Sequence, residues 1–568
     1  MNLSRLTGRV RSGGPFLESV REMAAPERAF VKLILINSVA ISFLSLVIPV
    51  SVQSIITNLG ILNQRQPVIV MTVVLFIILV FSGGIQVVQF HAIEILRRRL
   101  FLRFGAAILD RVTRYREDAY KHLDPMQLAK RHQDVVLAQA SMVTFFVDGI
   151  GFTVQYVISM SLLCLYHPYF LFMGVAISVM LYFSWMLFGP VGITAGVPEA
   201  DWRYKCMGWI DEVLRARPLF MSQRGREFAE RKFVGQLAEW SGYRGDLFNQ
   251  QFVQTVVLQL INAVVYTMLL GIGYLLVNKG QLSVGQLVAA FIVVAMLLAT
   301  LPRLQNFYIS IYDYSTSLDM LAEFYAHPLE EDSEGVASEF PGALDFHFQE
   351  ALLEENVRLD FKVEAGDRVY AYVRSFAVSR MVIQALQGFL PPKGGELLVA
   401  GRRFDGIRFS SLRNHVAVVG DKLHFGGTVR ENLIAVCGRQ PDTTELENAL
   451  QAMHLLETVK ALPKGIDSEL LPNGFPLSAS EATALQMARV LITRPGLVLV
   501  TPDFEKMSLD KRKAAKNLLL DRTNDWTVVF FSQRVLKGAF SHYVVAQRDG
   551  VHAIPGAESV LQEIEKYE

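Results

Sequence analysis

Six stretches free of Asp, Glu, Lys and Arg constrain this chain most: residues 33–56, 68–90, 149–166, 169–190, 253–277 and 284–301. Each is long enough, or nearly so, to cross about 30 Å of hydrocarbon as a helix. All six precede residue 302, and 51% of the 568 residues are hydrophobic, too many for an ordinary soluble chain. An α-helical membrane domain is therefore expected in the first half. Basic residues crowd the segments before the first stretch (Arg5, Arg9, Arg11, Arg21, Arg28, Lys32), between the second and third, and between the fourth and fifth. The short connections after the first, third and fifth offer only Arg65, none, and Lys279. The positive-inside rule then puts both termini in the cytoplasm.

The formal net charge of +1 comes without an aromatic-interleaved basic face, so no nucleic-acid partner is expected. Cys164, Cys206 and Cys437 are too few and too scattered for a disulfide framework or a metal site. The start of the chain lacks an apolar core followed by a small-residue cleavage site, so no removable signal is expected. Residues 16–30 fit either an amphipathic surface helix or a plain tail. The stretches 91–148 and 191–252 have helical periodicity and would carry the spans well beyond the bilayer. Arg97, Arg98 and Arg99 fall where the second span leaves the bilayer, and headgroup anchoring is their expected role. Gln250, Gln251, Gln254, Gln259 and Asn262, near the fifth span, are expected to form interhelical hydrogen bonds.

Beyond residue 327 the composition turns acidic and small, marking a linker at 328–342. The expected division is a segment 1–29, a six-span domain 30–327, the linker, and a soluble domain 343–568. In that domain DRVYAYV, HVAVV, LVLVT, TVVFFS and HYVVAQ read as strands, with helices at 379–387, 443–461, 478–494 and 508–521, an α/β pattern. Within it, residues 366–388 keep the strand, loop and helix frame of a P-loop, G-x-x-x-x-G-K-[ST]. The glycines of that motif let backbone amides wrap phosphates, its Lys neutralises them, and its hydroxyl holds Mg²⁺. Here Val373 and Val378 take the glycine places, Ser379 that of the Lys, and Arg380 that of the hydroxyl.

The order of landmarks resembles the half-transporter of ABC exporters over nearly the whole chain. NKGQLSVGQLVAAF (278–291) and PRL (302–304) flank the sixth span as in that family, and GGTVRENL (426–433) and LSASEATALQMARVLITRPGLVLV (477–500) look like its later motifs. Pro49 and RRRLFLRFGAAILDRVTRY look most like permease/ATPase fusions of type I secretion. The resemblance implies six spans followed by a P-loop-NTPase-like α/β domain, in a bacterial inner membrane, working as a dimer. Its signature, however, reads Ser478, Ala479, Ser480, Glu481, with a carboxylate where phosphate would meet a helix start. The glutamine position falls at Gly420 or Asp421. The Walker B pair falls at Thr501 and Pro502, or two residues on at Asp503 and Phe504, and the switch histidine at Gln533.

A micromolar nucleotide site is worth about 8 kcal/mol, and charge-assisted hydrogen bonds about 1.5–3 kcal/mol each. Losing the Lys, the hydroxyl and the loop geometry should carry binding past about millimolar. From the residues the expectation is thus a non-enzymatic pseudo-ATPase with neither ATP nor Mg²⁺ as cofactor, no metal site and no catalytic residue. It would serve as a subunit, scaffold or regulator, paired with a second copy or another ABC half-transporter and surrounded by membrane lipid, its substrate unknown. Two alternatives stay open: a transport subunit energised by an ATPase-competent ABC partner, and an ATP-independent permease.

Overall fold

The computed structural model describes residues 25–61, 65–117, 133–330, 340, 342–354, 357–420, 424–534, 539–547 and 550–554. Most of the leading segment, most of the linker and Asp421 lie outside those residues. The chain divides into two compact units, 1–329 and 330–568.

The first unit contains six helical spans, Ala25–Thr57, Val68–Val112, Gln133–Tyr166, Pro168–Arg215, Gln223–Asn278 and Val284–Leu321, long and apolar enough to cross a membrane. Helix α1 (Arg28–Ser45) gives way to α2 (Val47–Ile61) at Leu46. The break lies just ahead of Pro49, whose ring clashes with the carbonyl of Ser45 and whose nitrogen has no proton to donate. Helix α3 is Arg65–Val112. Helix α4 (Gln133–Thr144) passes through a π turn at Phe145–Gly149 into α5 (Ile150–Tyr166). Helices α6 (Pro168–Arg215), α7 (Arg217–Phe220) and α8 (Gln223–Asn278) follow, then α9 (Val284–Leu298) and α10 (Leu301–Ala326).

The 56 residues of α8 span about 84 Å at 1.5 Å per residue, far more than hydrocarbon requires. The periodic stretches outside the spans are thus helical continuations. Glycines set the closest approach between α6 and α10: a Cβ at Gly192 would come within 2.5 Å of the Tyr312 ring, and one at Gly196 within 2.2 Å of Thr316 Oγ1. Trp185 of α6 lies parallel to Tyr312, ring centroids 6.2 Å apart.

The second unit is built on a ten-stranded sheet in the order β5-β4-β1-β2-β12-β11-β3-β10-β9-β6. Strands β3 (Arg368–Val373), β6 (Val416–Val419), β9 (Leu497–Val500), β10 (Thr527–Ser532) and β11 (His542–Ala546) pair in parallel. They are the five strands expected from sequence. Strands β1 (Phe346–Leu352), β2 (Arg358–Val363), β4 (Gly394–Val399) and β5 (Arg402–Arg403) form an antiparallel wing. Strand β12 (Gly550–Ile554) joins wing and parallel core by pairing with β2 and β11, while β7 (Gly427–Thr428) and β8 (Glu469–Leu470) pair with each other apart from it.

Three helices flank the functional edge: α11 (Phe376–Leu386), α12 (Ala479–Thr493) and α13 (Leu509–Leu520). The helix expected at 443–461 is instead two, Thr443–Ala452 and Leu456–Lys460, separated where His454 takes φ 52°. Arg368 is buried at the start of β3, although Arg is among the residue types least often fully buried. Its guanidinium donates to the carbonyls of Gly366 (2.8 Å), Asp521 (2.8 Å), Asn524 (3.1 Å) and Trp526, so it fastens the root of β3 to the turn between α13 and β10.

Candidate functional site in the sheet edge

Parallel α/β sheets present ligands to the carboxyl ends of their strands. The residues leaving β3, β9 and β10 are therefore the candidates. After β3 the amides of Arg374 and Ser375 both donate to the carbonyl of Ala546 (3.0 and 3.2 Å), and α11 starts at once. Phe376, Ala377 and Val378, which a P-loop would hold as an open loop, form its first turn. The reason lies in the missing glycines: these residues disfavour left-handed backbone, settle into right-handed helix, and carry α11 three residues upstream of the expected start. Val373, Val378 and Ser379 are buried, and the Ser379 hydroxyl donates to the Phe376 carbonyl at 3.0 Å. Arg374 and Arg380 are exposed. The N-cap, Ser375, makes no side-chain capping bond. This helix start therefore joins orphan amides with two neighbouring cations, a combination suited to an anion.

The exit of β9 is built differently. Thr501 donates its amide to Val419 (2.8 Å), and a 3₁₀ turn occupies Pro502–Lys506. Neither sequence alignment gives an available carboxylate at the second Walker B position, since Pro502 and Phe504 stand there. Phe504 is buried edge-on against Phe530, and Asp503 pairs with Lys506 at 2.9 Å. Sequence reasoning missed Glu505. Its carboxylate accepts the Ser532 hydroxyl at 2.5 Å and the Gln533 amide at 3.2 Å, and lies 3.3 Å from Arg534 Nε. It thus ties the turn after β9 to the switch position after β10. The available signal was the two-residue excess in LVLVTPDFEKMSLD. Nearby, Gly420 (φ 113°) donates its amide to Gln486 at 2.9 Å. A Cβ there would lie 2.3 Å from Thr501 Oγ1, so this close approach needs glycine.

The signature segment forms the start of α12. Ser478 accepts from the Glu481 amide (3.3 Å), while the Glu481 carboxylate accepts the Ser478 amide (2.8 Å) and hydroxyl (2.7 Å), a closed capping box. Burial pushes the Glu481 carboxyl upward, but the hydrogen bonds from Ser478 and the charge of Lys511, 4.0 Å away, outweigh it and leave the group below the usual range. Ala479 is exposed, and the Ser480 hydroxyl accepts the Ser508 amide at 2.8 Å.

In the first unit, the Tyr312 hydroxyl donates to Gln254 (3.0 Å), and Gln305 donates to Thr255 (2.5 Å), both between helices. Asn262 instead bonds Gln259 on its own helix, at 3.4 Å. An ionic network also escaped the sequence reading. Buried Glu199 of α6 accepts the indole proton of Trp240 from α8 at 2.9 Å, and Arg203 lies 3.8 Å from Glu199 and 4.0 Å from buried Asp134 of α4. It links three helices by charges dispersed in sequence.

The site's fit to Mg-ATP is partial. The start of α11 offers amides and cations to phosphate, but the frame supplies no Lys and no magnesium-holding hydroxyl, and α12 has closed its own N-terminus.

Comparison with known proteins supplies the rest. Residues 31–301 match the ABC transporter transmembrane region. An ATP-dependent lipid A-core flippase of Paraburkholderia xenovorans is 21% identical over 371 residues, 61% of this chain and 62% of that protein. Another, of Photobacterium profundum, is 26% identical over 190 residues, 33% of this chain and 32% of that protein. The matched regions thus span about a third to three fifths of these relatives. A bacterial Atm1-family ABC exporter, solved with ATP bound, superposes with TM-score 0.79 at 15% identity, covering 96% of this chain and 97% of that one.

The expectations of a non-enzyme and of no ATP or Mg²⁺ are corrected by these findings: the relatives are ATP-dependent by name, and the structural neighbour holds ATP. Side chains at fixed motif positions do not decide the matter: beside β3 an uncapped helix start remains, and Glu505, three residues beyond Pro502, stands beside the end of β10.

Proposed function

We propose that this chain is one half of an ATP-dependent ABC exporter that carries a lipid-like amphiphile, paired with a second half-transporter whose P-loop is complete. The pairing is supported by one observation above the others: α11 begins at Phe376 and takes up the segment that would wrap the phosphates. ABC nucleotide sites are shared between two chains. A partner with an intact P-loop would face the α12 start of this chain, whose Ser478–Glu481 box leaves the phosphates to the partner's own Lys and amides, while the residues at 373–380 mark this chain's own phosphate position. The names of the flippase relatives support a lipidic cargo. The exporter lies in a bacterial inner membrane with both termini cytoplasmic, in accord with the distribution of Lys and Arg.

The test is affinity purification of the tagged full chain from its native membrane, identification of what accompanies it, and measurement of lipid-stimulated Mg-ATP turnover. The expected result is a stoichiometric second half-transporter containing G-x-x-x-x-G-K-[ST] and turnover by the pair. Full lipid-stimulated turnover by a homodimer of this chain would overturn the pairing.

A further inference from the structure

Helices α1 and α3 run antiparallel. The Gln89 amide donates to Ser38 at 3.2 Å, Ile34 packs with Leu96 and Leu100, and Arg99 lies 3.4 Å from Glu27 and 4.8 Å from the Phe30 ring centre. These contacts fix a register in which Lys32 stands near the level of Ile95 and Arg28 near that of Arg99. Arg28, Lys32, Arg97, Arg98, Arg99 and Arg103 then fall in one band, about 12 Å tall at the helical rise. All but Arg103 are exposed.

Among the described residues, Glu94 lies beside Arg98 (2.8 Å) and the largely covered Glu27 beside Arg99. No carboxylate partner of Arg28, Lys32 or Arg97 occurs among the described residues. Immediately beyond the band, the same two helices become apolar and outward-facing: Ile36 (64%), Phe43 (61%), Val87 (69%) and Phe90 (75%) are exposed. A cationic belt directly bordering a lipid-facing apolar wall matches the phosphate level of a bilayer.

We propose that this belt is a docking site for anionic phospholipid headgroups of the surrounding bilayer, bridged between α1 and α3 by Lys32 and Arg97, and that it selects them over zwitterionic lipid. Acyl chains lie along the apolar wall while the phosphate meets the cations. Arg99, held on Phe30 and Glu27, sets the spacing of the two helices.

The experiment uses the full chain, purified in mild detergent, with phosphatidylglycerol or phosphatidylcholine added and retained lipid counted by native mass spectrometry. Phosphatidylglycerol should be retained preferentially, and the preference should shrink as ionic strength rises. Lys32→Gln and Arg97→Gln should each weaken retention about fivefold, whereas Arg402→Gln and Arg403→Gln in the second unit should leave it unchanged. Equal retention of the two lipids by the wild type would overturn the proposal whatever the variants do. So would Lys32→Gln and Arg97→Gln forms that keep full preference. Release of phosphatidylglycerol upon Mg-ATP addition would identify it as cargo rather than belt lipid, and would overturn it as well.

Discussion

Two helix starts in the second unit face the same electrostatic demand and meet it in opposite ways. At α12, Ser478 and Glu481 close a reciprocal box and a carboxylate sits on the positive end of the helix. At α11, Ser375 gives no side-chain bond, and Arg374 and Arg380 stand exposed beside it. A helix start satisfied from within has little left for phosphate, while one left open retains an anion's place. Losing a motif and losing a site are therefore different events. The comparison also explains why counting absent P-loop residues led to the wrong expectation about ATP.

The strongest way to break the contrast is to loosen what holds the open start. Arg368→Ala removes a buried guanidinium that serves four carbonyls at the root of β3. Chemical denaturation should show a loss of about 3–5 kcal/mol, since each carbonyl left without a donor costs about 1–3 kcal/mol. A loss under about 1 kcal/mol would mean that the strand is fixed by other means. Glu505→Ala should cost about 1.5–3 kcal/mol, because charge-assisted bonds to Ser532 and Gln533 vanish together. Hydrogen exchange should rise at Gln533, and unchanged protection there would detach Glu505 from the switch position.

The closed start gives smaller effects. Ser478→Ala should cost about 1 kcal/mol. Glu481, depressed in the folded state, contributes stability that is complete above the ordinary glutamate range and fades as the pH falls through its folded value. Melting curves of the wild type should therefore show an acid step that Glu481→Gln lacks. Smallest, and opposite in sign, Ser375→Asp should cap α11 and stabilise it by about 0.5–1 kcal/mol. The same change should weaken any phosphate binding measured at that start, and stronger binding would show that the open start is not what receives the anion.

The six spans were legible because charge-free length is a property of composition alone. The five parallel strands were legible because their apolar runs have no other stable home. Three features were not. The early start of α11 depends on what residues do when glycine is absent, whereas the motif frame presupposes a loop. Glu505 reaches Ser532 through the 3₁₀ turn Pro502–Lys506, three residues past the place where an ungapped alignment looks for the carboxylate. Asp134, Glu199 and Trp240 converge from distant parts of the chain, and only packed helices bring them together.

The most direct test of the account is Mg-ATP turnover by the reconstituted pair after the P-loop lysine of the partner half is replaced by alanine. The account predicts that lipid-stimulated turnover falls by about a hundredfold or more, as expected when about 3 kcal/mol of transition-state stabilisation is lost. Undiminished turnover would contradict it, because the working phosphate site would then belong to this chain.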